Sequence, residues 1–165
     1  MRDSSVILAL EASQRVGGVA LLDHCGEIHA ADLGPDEPLD AVLMPTIARL
    51  VDSAGLTPND LDIVGVSVGP GGFTGLRVSV TTAKTLGRVL GAKCVAVPSA
   101  LVAAASCDRA GPIAVALAGK NDSAWLTYCE PVEASASVND VPGFTHWRIV
   151  GNPSVQNGEQ LCVNG

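Results

Sequence analysis

The densest chemical signal in the sequence is Gly69-Pro-Gly-Gly-Phe-Thr-Gly75. A glycine-rich turn between a strand and a helix lets backbone amides at the helix N-terminus close on an anion, so phosphate binding is one reading. The other is structural: Gly71, Gly72 and Gly75 permit positive φ or close packing of a helix on a sheet, and Pro70 stiffens the turn. The specific phosphate signatures are missing. Gly75 is followed by Leu76 where a Walker loop requires lysine, and Thr74 stands where a dinucleotide fingerprint requires glycine.

A second motif overlaps the first. Gly65-Val-Ser67-Val-Gly69 matches the G-x-S-x-G nucleophile elbow. In a serine hydrolase using Ser67, His146 would follow it in chain order, with Asp108, Asp122 or Asp140 between. An elbow needs its helix to begin right after the serine, because the amide there helps to form the oxyanion hole. Here Gly69-Pro-Gly-Gly-Phe73 delays the helix to about Thr74, which argues against that chemistry.

His24 and His29 fall on a turn and on the following strand, so they need not face the same side. A metal site needs more ligands, and they read as solvated turn and edge residues; no metal is expected. The five cysteines are scattered without a CxxC pair, which indicates neither a disulfide framework nor a zinc site and suits a reducing cytoplasm. Arg77 and Lys84 share one helix with no carboxylate at helical spacing and read as surface charges unless a partner claims them.

The elements that must position these residues are legible in outline. A chain of 165 residues makes one domain or two small lobes, and 47% hydrophobic against 16% charged residues is charge-poor enough to suggest a further apolar surface to cover. The net charge of −7, without any lysine or arginine cluster, opposes direct binding to a phosphate backbone. No segment is long enough to span a bilayer, and the apolar run Val6 to Leu10 ends at Glu11 with no cleavage site after it.

Val6–Leu10, Val16–Leu22 and Glu27–Asp32 predict three successive strands. Leu39–Ala54 has helical spacing, with Pro45 marking either a kink or a later start, and Gly55 ends it. Thr57-Pro-Asn-Asp60 is a turn, Asp62–Val68 a buried strand, and Thr74–Leu90 a helix with Thr74 as N-cap and Gly91 as C-cap. Cys94–Val97 completes a βββαβαβ order. A short helix over about Ala100–Cys107 leads to a second hairpin, Ile113–Ala118 and Ala124–Cys129, as though the pattern restarts; His146–Val150 is a candidate third strand. Two lobes follow, 1–108 and an abbreviated 109–165.

Ile7-Leu-Ala-Leu-Glu-Ala-Ser13, Gly18-Val-Ala-Leu-Leu22 and Gly69-Pro-Gly-Gly-Phe-Thr-Gly-Leu-Arg77 ahead of Ala83-Lys84 resemble the TsaB (YeaZ) family through about Ala105. The resemblance implies a duplicated ASKHA (actin-like, ribonuclease H-like) α/β fold, with mixed sheets flanked by helices and a shortened second lobe. It implies a cytoplasmic, non-catalytic scaffold for threonylcarbamoyladenosine formation on tRNA. Such a subunit pairs with a TsaD-like catalytic subunit and a TsaE-like ATPase, reaches tRNA only through the complex, and leaves ATP and a metal to its partners, with no cofactor of its own.

The catalytic relatives carry two metal-binding histidines on their first long helix, and Leu39–Ala54 contains none. The first phosphate loop of a working ASKHA site begins with aspartate. This chain has Glu11 ahead of Ala12 and Ser13, and the extra methylene would misplace a carboxylate meant to orient a metal-bound water. The resemblance therefore makes Glu11, Ser13 and Gly69 to Gly75 with Arg77 a remnant phosphate loop.

On the second helix Leu76, Val80, Ala83 and Leu90 line one side, and Val78, Thr82, Leu86 and Val89 another. The first side suits the sheet. The second, with Leu43, Ile47 and Leu50 of the first helix, is the expected partner interface, and Val78→Asp or Leu86→Asp is expected to break pairing while sparing the fold. A stand-alone homodimer binding a nucleotide at the glycine loop is a further reading, as is the hydrolase.

Overall fold

The computed structural model describes residues 5–107, 111–119, 124–132 and 146–151. It divides into two compact units, 1–99 and 100–165. The division falls ahead of the short helix near residue 100, whereas the sequence reading placed that helix with the first lobe.

The first unit is built on a five-stranded mixed sheet of order β3-β2-β1-β4-β5. Its strands are β1 (Ile7–Glu11), β2 (Gly17–Leu22), β3 (Ile28–Leu33), β4 (Ile63–Ser67) and β5 (Lys93–Val97). β1 lies at the centre, antiparallel to β2 and parallel to β4, with Leu8 opposite Leu21 on one side and Val64 on the other. Period-two alternation sends Leu8, Leu10, Val19, Leu21, Val64 and Val66 to one face, where all are buried in a single core.

Helices α1 (Leu39–Ser53) and α2 (Phe73–Leu90) cover that face. In α1, Leu43, Ile47, Leu50 and Val51 recur at three- and four-residue intervals and are buried. Pro45 lies inside the helix and neither ends it nor delays its start. Gly55, at φ +67°, closes α1 in a Schellman pattern: its amide donates to Asp52 O (2.9 Å) and that of Leu56 to Val51 O (3.0 Å). Thr57 to Asp60 forms a single 3-10 turn, in which the Asp60 carboxylate accepts from the Thr57 amide and hydroxyl.

α2 sits closer to the sheet than its apolar pattern suggests. The residues at four-residue spacing along its inner line are all small: Gly75, Ser79, Ala83 and Gly87. Ser79 and Ala83 are the fully buried positions of the helix. A β-carbon on Gly75 would collide with the Ala12 carbonyl, and one on Gly87 with the Cys94 Sγ. The two-sided expectation for α2 is corrected accordingly. Val78 and Leu86 pack against the core alongside Val80 and Leu90, because a helix lying this close lets residues on both flanks of the small stripe reach the sheet layer.

The second unit contains α3 (Ser99–Ala105) for most of its length and a three-stranded antiparallel sheet, β6 (Ile113–Ala118), β7 (Ala124–Val132) and β8 (His146–Gly151), in that order. Ala100, Ala104, Val115, Leu117 and Cys129 form its core. The expected second hairpin and third strand are both present. Residues 133–145 and the tail after Gly151 lie outside the described residues.

Candidate functional site

The carboxyl ends of β1 and β4 and the N-terminus of α2 converge on the glycine segment. The end of an open α/β sheet where parallel strands finish is the usual place for a ligand, so the geometry here decides between the phosphate and packing readings.

The packing reading wins on one contact. The Gly72 amide, at the start of α2, donates to the Ser13 carbonyl at 2.7 Å. A β-carbon on Gly71 would collide with that same carbonyl, and one on Gly75 with the carbonyl of Ala12. The space and a donor that a phosphate would use at this helix end are taken up by the chain's own backbone oxygens. Gly72, not Thr74, is the N-cap, since α2 starts at Phe73; it has no side chain to cap with, and the Leu76 amide closes onto its carbonyl at 3.0 Å.

The rest of the segment is fixed from the other side. Gly69, at φ +105°, precedes a cis peptide to Pro70. Its carbonyl accepts from the Ser99 amide (3.0 Å) and its amide donates to the Ser99 Oγ (3.1 Å). Ser99 was missed in the sequence; a lone serine thirty residues downstream carries no local signal.

Glu11 turns its Oε1 onto the amide of Ser13 at 2.6 Å, while its Oε2 is buried without a hydrogen-bond partner. The chain's own carbonyls at Ala12 and Ser13 thus stand against Gly75, Gly71 and the Gly72 amide.

Ser67 is 2% exposed, and its Oγ has no partner. α2 begins six positions later, so no helix amide follows the hydroxyl directly. The nucleophile-elbow reading fails on both access and geometry. Asp108, Asp122 and Asp140 lie outside the described residues, and His146 is placed only as the first residue of β8.

The residues expected at a partner interface separate into two groups. Leu43, Ile47 and Leu50 are core residues, because α1 turns its apolar stripe onto the sheet. Thr82 is half-buried, and Val78 and Leu86 are partly buried against the core. Val89 is 74% exposed. Positions not foreseen accompany it: Met44 of α1 is 47% exposed and Phe73 of α2 is 67% exposed. Between the helices runs a groove of about 440 Å³ with Asp40, Met44, Phe73, Arg77, Val78 and Thr81 among its walls. The Arg77 guanidinium lies 5.3 Å from the centre of the Phe73 ring, one turn back along α2, so one wall of the groove is a cation-π pair.

A family-wide sequence pattern described as TsaD, tRNA N6-adenosine threonylcarbamoyltransferase, matches residues 39–142. The tRNA threonylcarbamoyladenosine biosynthesis protein TsaB of Bacillus subtilis (strain 168) is 37% identical over 82 residues, 48% of this chain and 35% of that protein. The chain belongs to the TsaB/YeaZ family of TsaD-type domains.

Another relative of this family is a probable bifunctional tRNA threonylcarbamoyladenosine biosynthesis protein of Thermoplasma acidophilum, 35% identical over 92 residues, 54% of this chain and 15% of that one. The solved structure of YeaZ from Pseudomonas aeruginosa superimposes with a TM-score of 0.74 at 24% identity, over 90% of this chain and 65% of that one. The match thus spans about a third of the B. subtilis TsaB and less of the bifunctional relative. The mixed sheet of order β3-β2-β1-β4-β5 under two helices is the ASKHA-like arrangement shared with these TsaB/YeaZ structures. Among the described residues, no helix is long and apolar enough to cross a membrane.

Proposed function

We propose that this chain is a non-catalytic subunit in the formation of threonylcarbamoyladenosine on tRNA, binding a TsaD-like catalytic subunit through the exposed rim of the α1/α2 groove. The observation that carries this reading is the rim itself. Met44 and Phe73 on the groove, with Val89 further along α2, are large apolar side chains exposed on the two helices of the first unit, in a chain whose relatives bear the name of this pathway.

Two features favour a scaffold over a catalyst. α1 contains no histidine to hold a metal, and the glycine segment is filled by the carbonyls of Ala12 and Ser13. In this reading ATP and the metal belong to partner subunits, a TsaE-like ATPase joins the pair, and the acidic chain leaves tRNA to a more basic partner. The work takes place in the cytoplasm, where the substrate tRNA is found.

The test is co-elution with a TsaD-like protein on size-exclusion chromatography, combined with mass spectrometry of tRNA nucleosides from cells depleted of this chain. Co-elution and a fall in the modified nucleoside are expected. Intact modification in depleted cells would overturn the reading.

A further inference from the structure

The β2–β3 hairpin gathers three metal-ligating side chains that the glycine site does not use. Asp23 starts the turn, Glu27 leaves it, and His29 lies one strand residue further on, opposite Leu21. One donor atom from each lies within 4.8 Å of the other two. The sequence reading set His29 aside as an edge residue; the fold brings it beside two carboxylates.

Asp23 is already oriented for such a role. Its backbone amide donates to Glu27 O at 3.0 Å, and the Gly26 amide returns to Asp23 O at 3.1 Å, closing the turn. Within the side chain, Oδ1 accepts the amides of Cys25 (2.8 Å) and Glu27 (2.9 Å). That division leaves Oδ2 aimed at His29 Nε2, 3.4 Å away.

The 3.4 Å separation is long for a charge-assisted hydrogen bond, which closes to about 2.7–2.9 Å. It does match the spacing of two ligands on one tetrahedral ion: donors about 2.1 Å from the metal stand roughly 3.4 Å apart. Asp23 is buried and His29 only partly exposed, whereas Glu27 is exposed and free to swing its carboxylate into place. Amides fixing one ligand oxygen while the other faces the ion is the outer-shell support that protein metal sites rely on.

We propose that Asp23, Glu27 and His29 bind one divalent transition-metal ion of the zinc type, with water completing the shell. An imidazole beside two carboxylates favours such an ion over calcium or magnesium, which prefer all-oxygen shells. Bound there, the ion ties the turn to the first residues of β3.

The test titrates cobalt(II), as a spectroscopic stand-in for zinc, into the whole protein. The expected result is saturable visible d–d absorption at one ion per chain, displaced by zinc. Glu27→Gln and His29→Ala should each weaken binding by on the order of tenfold or more. Glu27 is exposed, so its variant stays informative even if His29→Ala disturbs the hairpin. Three outcomes would overturn the site: no saturable binding, binding in both variants as tight as in the native protein, or an intense sulfur-to-cobalt charge-transfer band showing that cysteine holds the ion.

Discussion

The Gly75 α-carbon sits against the Ala12 carbonyl so tightly that α2 and the end of β1 are in backbone contact at that point. This relationship makes the glycine obligatory for packing alone. Gly75→Ala should cost about 3 kcal/mol, the upper range for overpacking a close-packed site, because the obstacle is rigid backbone. Urea denaturation of the pure protein measures it, and an unchanged midpoint would contradict the packing account.

Ser67→Ala should have the opposite sign. A buried hydroxyl without a partner costs roughly 1–3 kcal/mol in desolvation, so removing it should leave stability unchanged or raise it by up to about 1 kcal/mol. The same variant tests the hydrolase reading, since loss of an ester-cleaving activity on this substitution would revive it.

Partner binding and folding should separate along α1 and α2. Val89→Asp changes an exposed side chain and should keep the fold while weakening association with a TsaD-like protein by on the order of 30-fold, as for a hot-spot residue. Leu50→Asp places a charge in the core and should unfold the first unit. Val78→Asp and Leu86→Asp are poorer probes than their sequence positions suggest, because both side chains touch the core. Circular dichroism and analytical size-exclusion chromatography, run on the same samples, distinguish these outcomes.

The hairpin turn should be acid-sensitive. The Asp23 carboxyl is held below the usual range chiefly by the amide of Glu27, with the Cys25 amide and His29 adding to it against the cost of desolvation. A depressed folded pKa contributes stability that is present above the unfolded value, about 3.9, and is lost as pH falls through the folded value. The stability gap between the native chain and Asp23→Ala should therefore be constant near neutrality and shrink below about pH 4. Urea midpoints across that range check it.

Thiol reactivity should sort by burial. Burial pushes the Cys129 thiol up, away from the reactive thiolate, while Cys25 and Cys107 are exposed. Timed alkylation with peptide mapping should modify Cys25 and Cys107 well before Cys129, and equal rates would contradict the core placement of β7.

Most of the architecture was legible because long periodic segments carry it. Leu43, Ile47, Leu50 and Val51 announce a helix, and alternation in β1, β2 and β4 announces one buried sheet face. Gly55 and Gly91 mark both helix ends correctly through positive φ. The packing face of α2 includes the expected Val80, Ala83 and Leu90 but is wider, taking in Val78 and Leu86, because the contact stripe is the small set Gly75, Ser79, Ala83 and Gly87. Small residues at four-residue spacing would have revealed it. The glycine segment was left open between anion and packing because its answer lies in Ala12 and Ser13, nearly sixty residues upstream. Ser99, and the gathering of Asp23, Glu27 and His29, depend on strand register and turn closure, which composition and spacing do not encode.

The central place of β1 also has a consequence for the order of assembly. During synthesis β1 can pair with β2 as soon as that strand emerges, but its other edge waits for Ile63 to Val66. Until those residues emerge, the nascent chain presents an open, apolar β-edge, a ready template for pairing with another chain. Closing it requires contacts across more than fifty residues, the kind of distant pairing that slows folding. Truncations ending before Ser67 should therefore collect in aggregates, whereas those ending after β5 have every strand of the first sheet to hand.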